Sequence, residues 1–134
     1  MGGLYLKRKI DLFLRAWKKN PERKPLIVKG PRQVGKTESI RRFAAQNYES
    51  VIYINFVEEP KYKLITEDGY RAEDIVKNIS RMDPSKRFQP EQTVLIFDEI
   101  QDFASIATSL KFFKIDGRFD VICSGSLLGI NYRV

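Results

Sequence analysis

Eight residues constrain this chain more than any others: Gly30-Pro31-Arg32-Gln33-Val34-Gly35-Lys36-Thr37. They satisfy the spacing Gly-x-x-x-x-Gly-Lys-Ser/Thr in full. Glycines reach backbone angles closed to other residues and let the main chain approach an anion closely. Successive backbone N–H groups then point inward as a nest for negative oxygen. Such a loop needs a strand before it and a helix after it, and both are legible. Leu26-Ile27-Val28 is a short apolar run broken at Gly30, and Ile40, Phe43 and Ala44 mark one face of a helix over residues 37–46. The start of that helix adds unpaired N–H groups and a positive dipole end. The run therefore reads as a cradle for the phosphates of a nucleotide. Lys36 reaches the β- and γ-phosphates, and the Thr37 hydroxyl ligates Mg²⁺. The binding set is Gly30, Pro31, Arg32, Gln33, Val34, Gly35, Lys36, Thr37 and Glu38. For Arg32, a phosphate contact and a solvated side chain weigh equally.

The remaining pattern alternates strands with helices. Leu6, Ile10, Phe13, Leu14 and Trp17 recur at helical spacing, which predicts an amphipathic N-terminal helix over residues 5–19 that ends before Pro21. Val51-Ile52-Tyr53-Ile54-Asn55-Phe56 reads as a second strand. Ile75, Val76 and Ile79 suit a helix over residues 72–81, followed by a long polar loop containing Pro84 and Pro90. Val94-Leu95-Ile96-Phe97 is apolar on both faces, as a central parallel strand requires. Ile106, Leu110 and Phe113 give a further helix closed near Gly117, and Asp120-Val121-Ile122-Cys123 is the fourth strand. This order predicts an α/β fold, an open parallel sheet with flanking helices and right-handed crossovers.

The third strand delivers Asp98 and Glu99 at its C-terminal end, where open α/β sheets bind ligands. Asp98 is assigned to Mg²⁺, directly or through water, and Glu99 to polarising an attacking water as general base. An alternative for the pair is to cap the following helix. The fourth strand leads into Ser124-Gly125-Ser126, where a hydroxyl would sense the γ-phosphate; Ser126 is preferred for that role. Asn55 is expected either to hydrogen-bond Glu99 or to serve as a strand-end turn residue. Cys123 reads as a buried core thiol. The catalytic set is thus Glu99, Lys36 and Ser126, and the metal set Thr37 and Asp98.

Composition narrows the chemistry further. The 134 residues contain no histidine and one cysteine. Histidine-based triads, histidine-ligated zinc and an internal disulfide are excluded, and a single thiol fits a reducing cytoplasm. No apolar run approaches the roughly 20 residues of a membrane span. The net charge of +7 gathers at Lys18, Lys19, Arg23 and Lys24 and at Arg41 and Arg42. These clusters lack interleaved stacking aromatics, so a solvated surface competes with nucleic-acid contact as their reading.

At these residues the chain resembles AAA-type ATPases of the P-loop class that carries an extra strand between the phosphate-loop strand and the acidic strand. The nearer resemblance is to predicted prokaryotic AAA-type ATPases with a C-terminal domain of unknown function. It rests on Lys9-Ile10, the run from Gly30, Tyr53-Ile54-Asn55-Phe56, Leu95-Ile96-Phe97-Asp98-Glu99-Ile100-Gln101 and Ser124-Gly125-Ser126-Leu127-Leu128-Gly129. The resemblance implies strand order 2-3-4-1, ATP and Mg²⁺ as cofactors, and hydrolase activity. It also implies one ATPase domain over residues 1–134, with a nucleotide-binding core at 25–134 that is incomplete at its C-terminus. Members of that group run on well beyond this length, so a fifth strand, an arginine finger and an effector domain are expected to be missing. Strand one would then be an open edge inviting self-association, beside any AAA-type oligomer, and turnover would be slow. A nucleotide-dependent switch with little hydrolysis is the alternative. A small-molecule kinase is less favoured, because no arginine-rich lid separates strands three and four.

Overall fold

The computed structural model describes residues 2–30 and 35–125, with side chains from Arg8 onward. Helix α1 (Gly2–Lys19) leads to β1 (Leu26–Lys29), α2 (Lys36–Asn47) and β2 (Ser50–Asn55). A 3₁₀ segment (Pro60–Thr66), α3 (Ala72–Met82) and β3 (Thr93–Asp98) follow. A second 3₁₀ segment (Ile100–Ser109), α4 (Leu110–Asp116) and β4 (Asp120–Gly125) complete the described part. The four strands are parallel and ordered β1-β4-β3-β2, the 2-3-4-1 order read from its other edge. Helices cover both faces, as an all-parallel sheet requires.

Strand alternation sorts the core into two layers. Val94, Ile96 and Ile122 pack with Ile40, Phe43 and Ala44 of α2 and with Leu14 of α1. Leu95, Phe97, Val121 and Cys123 point the other way, against Ile75, Ile79, Ile106, Leu110 and Phe113. Every residue of β3 is buried, as expected of a strand flanked on both edges and both faces. On the second face, Phe56 bridges Phe97 and Phe103 at ring separations of 5.8 and 5.0 Å.

Three details depart from the sequence reading. Helix α1 begins at Gly2 rather than residue 5. Its inward stripe is the buried Leu14 with the partly buried Ile10 and Trp17, while Phe13 is 58% exposed, because one residue is a 100° step around a helix. The helix expected around Ile106 is two pieces: the 3₁₀ segment contains a non-helical Phe103 (φ −148°, ψ 61°) before α4 begins. The turn at Gly117 (φ 73°) ends α4 as expected, in the left-handed conformation glycine favours.

The basic clusters are largely engaged within the fold. Arg23 pairs with Asp120 at 2.8 Å, Arg42 with Asp11 at 3.4 Å, and Lys18 and Arg41 lie over the rings of Tyr48 and Tyr53. No described helix is long and apolar enough to cross a membrane.

Candidate functional site

The C-terminal ends of β1, β3 and β4 converge on the start of α2. Gly35 precedes that helix with φ 69° and ψ 24°, a left-handed conformation that costs L-residues roughly 1–2 kcal/mol. Having no side chain, Gly35 offers no side-chain cap, and its carbonyl accepts the N–H of Ser39 at 3.0 Å. Lys36 is the first residue of the helix and only 4% exposed. Its Nζ donates to the carbonyls of Gly30 at 3.0 Å and Gly125 at 2.6 Å. The ammonium thus ties the end of β1 to the end of β4 at the base of the cleft. Glu38 is exposed in the same first turn.

Thr37 and Asp98 meet across this cleft. The Thr37 hydroxyl donates to Asp98 Oδ2 at 3.1 Å, and Tyr53 Oη donates to the same oxygen at 2.5 Å. Asp98 Oδ1 accepts the N–H of Glu99 at 2.8 Å. Asp98 is 3% exposed, so a buried carboxylate is held by hydroxyl and amide donors. Burial and the bond to Asp98 push the Tyr53 phenol well above its ordinary value, keeping it a donor. Glu99 stands at the strand end with φ 57° and ψ 45°, a left-handed conformation uncommon outside glycine. Its side chain makes no cap of the following 3₁₀ segment; instead Gln101 Nε2 donates to Glu99 Oε2 at 3.0 Å. Lys36, Thr37, Tyr53, Asn55, Val57, Glu58, Asp98 and Glu99 line one cleft of about 350 Å³.

Of the two roles open to Asn55, the strand-end turn is the one observed. Asn55 Oδ1 accepts the N–H groups of Val57 at 2.9 Å and Glu58 at 3.0 Å, and its Nδ2 donates to Tyr53 Oη at 3.4 Å. Asparagine ends β2 here because its side chain mimics the next turn of backbone. Ser124 is fully buried and its hydroxyl has no partner among the described residues. By alternation it shares the face of Ile122, which the register makes the face of Ile96 and Tyr53 and the side on which α2 packs. Cys123 is buried, and burial raises its thiol well above the ordinary range. Pro31, Arg32, Gln33, Val34 and Ser126 lie outside the described residues.

A sequence model of the AAA domain matches residues 22–133. The chain belongs to the AAA domain family. Among solved structures, PCH-2 of C. elegans superimposes with a TM-score of 0.52 at 13% identity, covering 98% of this chain and 38% of that one. That likeness is one of fold, and this chain spans well under half the length of the worm protein. No curated protein matches. The family and the sheet order agree on an AAA-type P-loop NTPase fold with an open parallel sheet.

One site residue was not legible beforehand. Nothing local in the sequence marks Tyr53 for the site, because its contact to Asp98 depends on the register that sets Asn55 opposite Asp98.

Proposed function

We propose that this AAA domain binds ATP with Mg²⁺ and hydrolyses it slowly. The observation carrying the proposal is the meeting of Thr37 Oγ1 and Asp98 Oδ2 at 3.1 Å beside the buried Lys36 ammonium. Neighbouring oxygens around an octahedral ion at about 2.1 Å lie about 3.0 Å apart, so this pair of hard donors fits Mg²⁺. Among the described residues no three carboxylate, histidine or cysteine side chains gather, which suits an ion that takes its other ligands from phosphate and water. Bound there, Mg²⁺ would supply charge neutralisation for the phosphates.

The chain's own groups divide the remaining work. Amides of residues 30–37 and the first turn of α2 hold phosphate oxygens. Lys36 draws the β- and γ-phosphates toward the sheet. Glu99, in the same cleft as Thr37 and Asp98, accepts the proton of the attacking water. Ser126, the residue immediately after the described end of β4, would contact the γ-phosphate. Strand β1 lies at one edge of the described sheet, which supports self-association along that edge as part of the same reading.

Phosphate release from Mg·ATP tests the proposal. The wild type should turn over slowly, and Glu99→Gln should bind ATP equally well with at least tenfold less release. Equal, near-zero rates in both would favour a binding switch over a hydrolase.

A further inference from the structure

We propose that Tyr53 is the positioning residue of the metal site: its hydroxyl, aimed by Asn55, holds the Asp98 carboxylate in the orientation that receives Mg²⁺. The proposal rests on the ATP–Mg²⁺ reading above and adds to it a residue and a role.

The placement follows from sheet geometry. Asn55 lies opposite Asp98 in the parallel pair β2–β3, and Tyr53 is two residues earlier on the same face. Two residues of strand span about 6.6 Å, close to the reach of a tyrosine from Cα to hydroxyl. A tyrosine leaning along β2 therefore brings its oxygen level with the end of the neighbouring strand. No shorter side chain at position 53 would do so, and phenylalanine would fill the same space without the donor.

The direction of the hydroxyl proton is also set. Backbone N–H groups of Val57 and Glu58 both require an acceptor, so they fix the Asn55 side chain with Oδ1 toward the turn. Its Nδ2 then faces Tyr53 Oη and donates to it at 3.4 Å. With that acceptor position used, the phenol directs its own hydrogen to Asp98 Oδ2 at 2.5 Å. The ring is held from the other side by Arg41, whose guanidinium carbon sits 4.2 Å from the ring centroid. Arg41 is four residues after Thr37, on the same face of α2. One helix face thus touches Asp98 through Thr37 and steadies Tyr53 through Arg41.

The consequence is a carboxylate pinned at both oxygens: Oδ1 by the Glu99 amide and Oδ2 by Tyr53. When Thr37 turns its oxygen lone pair toward the ion, Tyr53 keeps Asp98 from rotating after it. This restraint acts on metal affinity rather than on the phosphate loop.

Mn²⁺ binding to the ADP complex, followed by electron paramagnetic resonance, tests it, alongside ADP affinity measured in EDTA and a thermal melt. In Tyr53→Phe the Mn²⁺ dissociation constant should rise by roughly tenfold, the weight of one hydrogen bond to a charged group. ADP affinity in EDTA should stay near wild type, and the melt should remain cooperative and fall by no more than several degrees. Arg41→Gln should shift the Mn²⁺ constant in the same direction by a smaller factor. An unchanged or tighter Mn²⁺ constant in Tyr53→Phe, with wild-type protein binding Mn²⁺·ADP normally, would overturn the role of Tyr53 alone. Failure of the wild type to bind Mn²⁺ with ADP would overturn the nucleotide reading and this inference together.

Discussion

Replacing Lys36 with alanine should weaken Mg·ATP binding by about two orders of magnitude, and the structure sets that scale. A hydrogen bond from a charged donor carries about 1.5–3 kcal/mol. The upper end applies here, because the ammonium is only 4% exposed and is already desolvated before any ligand arrives. About 3 kcal/mol corresponds to a roughly 150-fold rise in Kd. The same substitution strips a partner from the buried carbonyls of Gly30 and Gly125, which lie 3.0 and 2.6 Å from Nζ. Leaving a buried acceptor unmet costs about 1–3 kcal/mol, so the variant should also melt several degrees lower. Titration calorimetry well below the melting temperature separates the two effects. A folded Lys36→Ala protein whose Kd rises less than threefold would refute the reasoning that this amine meets phosphate.

Other outcomes follow from particular contacts. Asp120→Ala should cost about 2 kcal/mol in urea unfolding, between the values for exposed and buried pairs, because it strands Arg23 and Tyr48 at the far end of the sheet; ATP affinity should not move. Glu99→Gly should melt no lower than Glu99→Gln, since glycine accepts the φ of 57° and relieves a cost of about 1 kcal/mol; a drop of several degrees relative to Gln would contradict the strain. Burial and the bond to Asp120 raise the Tyr48 phenol in the fold. Above about pH 10 the unfolded chain releases that proton while the folded one keeps it, so stability must fall as pH rises there. Tyr48→Phe should flatten that alkaline slope in denaturant melts.

The sequence made the site legible where chemistry is local. The loop, the helix after it and the acids ending β3 are each contiguous, and each carries its own spacing or apolar run. The parallel sheet followed from alternating elements, but the 2-3-4-1 order came from family resemblance, since no local pattern fixes which strands pair. Contacts between distant residues were not legible. Asn55 had two open roles, and only the N–H groups of Val57 and Glu58 decide for the turn. The 3₁₀ segment Pro60–Thr66 has no periodic signature, because its buried residues, Tyr62 and Ile65, are too few to show one. Phe103 breaks what looked like one helix, and its packing against Phe56 was invisible without the fold.

Amide chemical shifts on adding Mg·ATP to isotope-labelled protein measure the central claim most directly. The account predicts saturable shifts greatest at residues 30–38, with smaller ones at Asp98 and Glu99. Shifts confined to the separate hollow around Trp17, Arg23 and Phe119, or none at millimolar nucleotide, would contradict it.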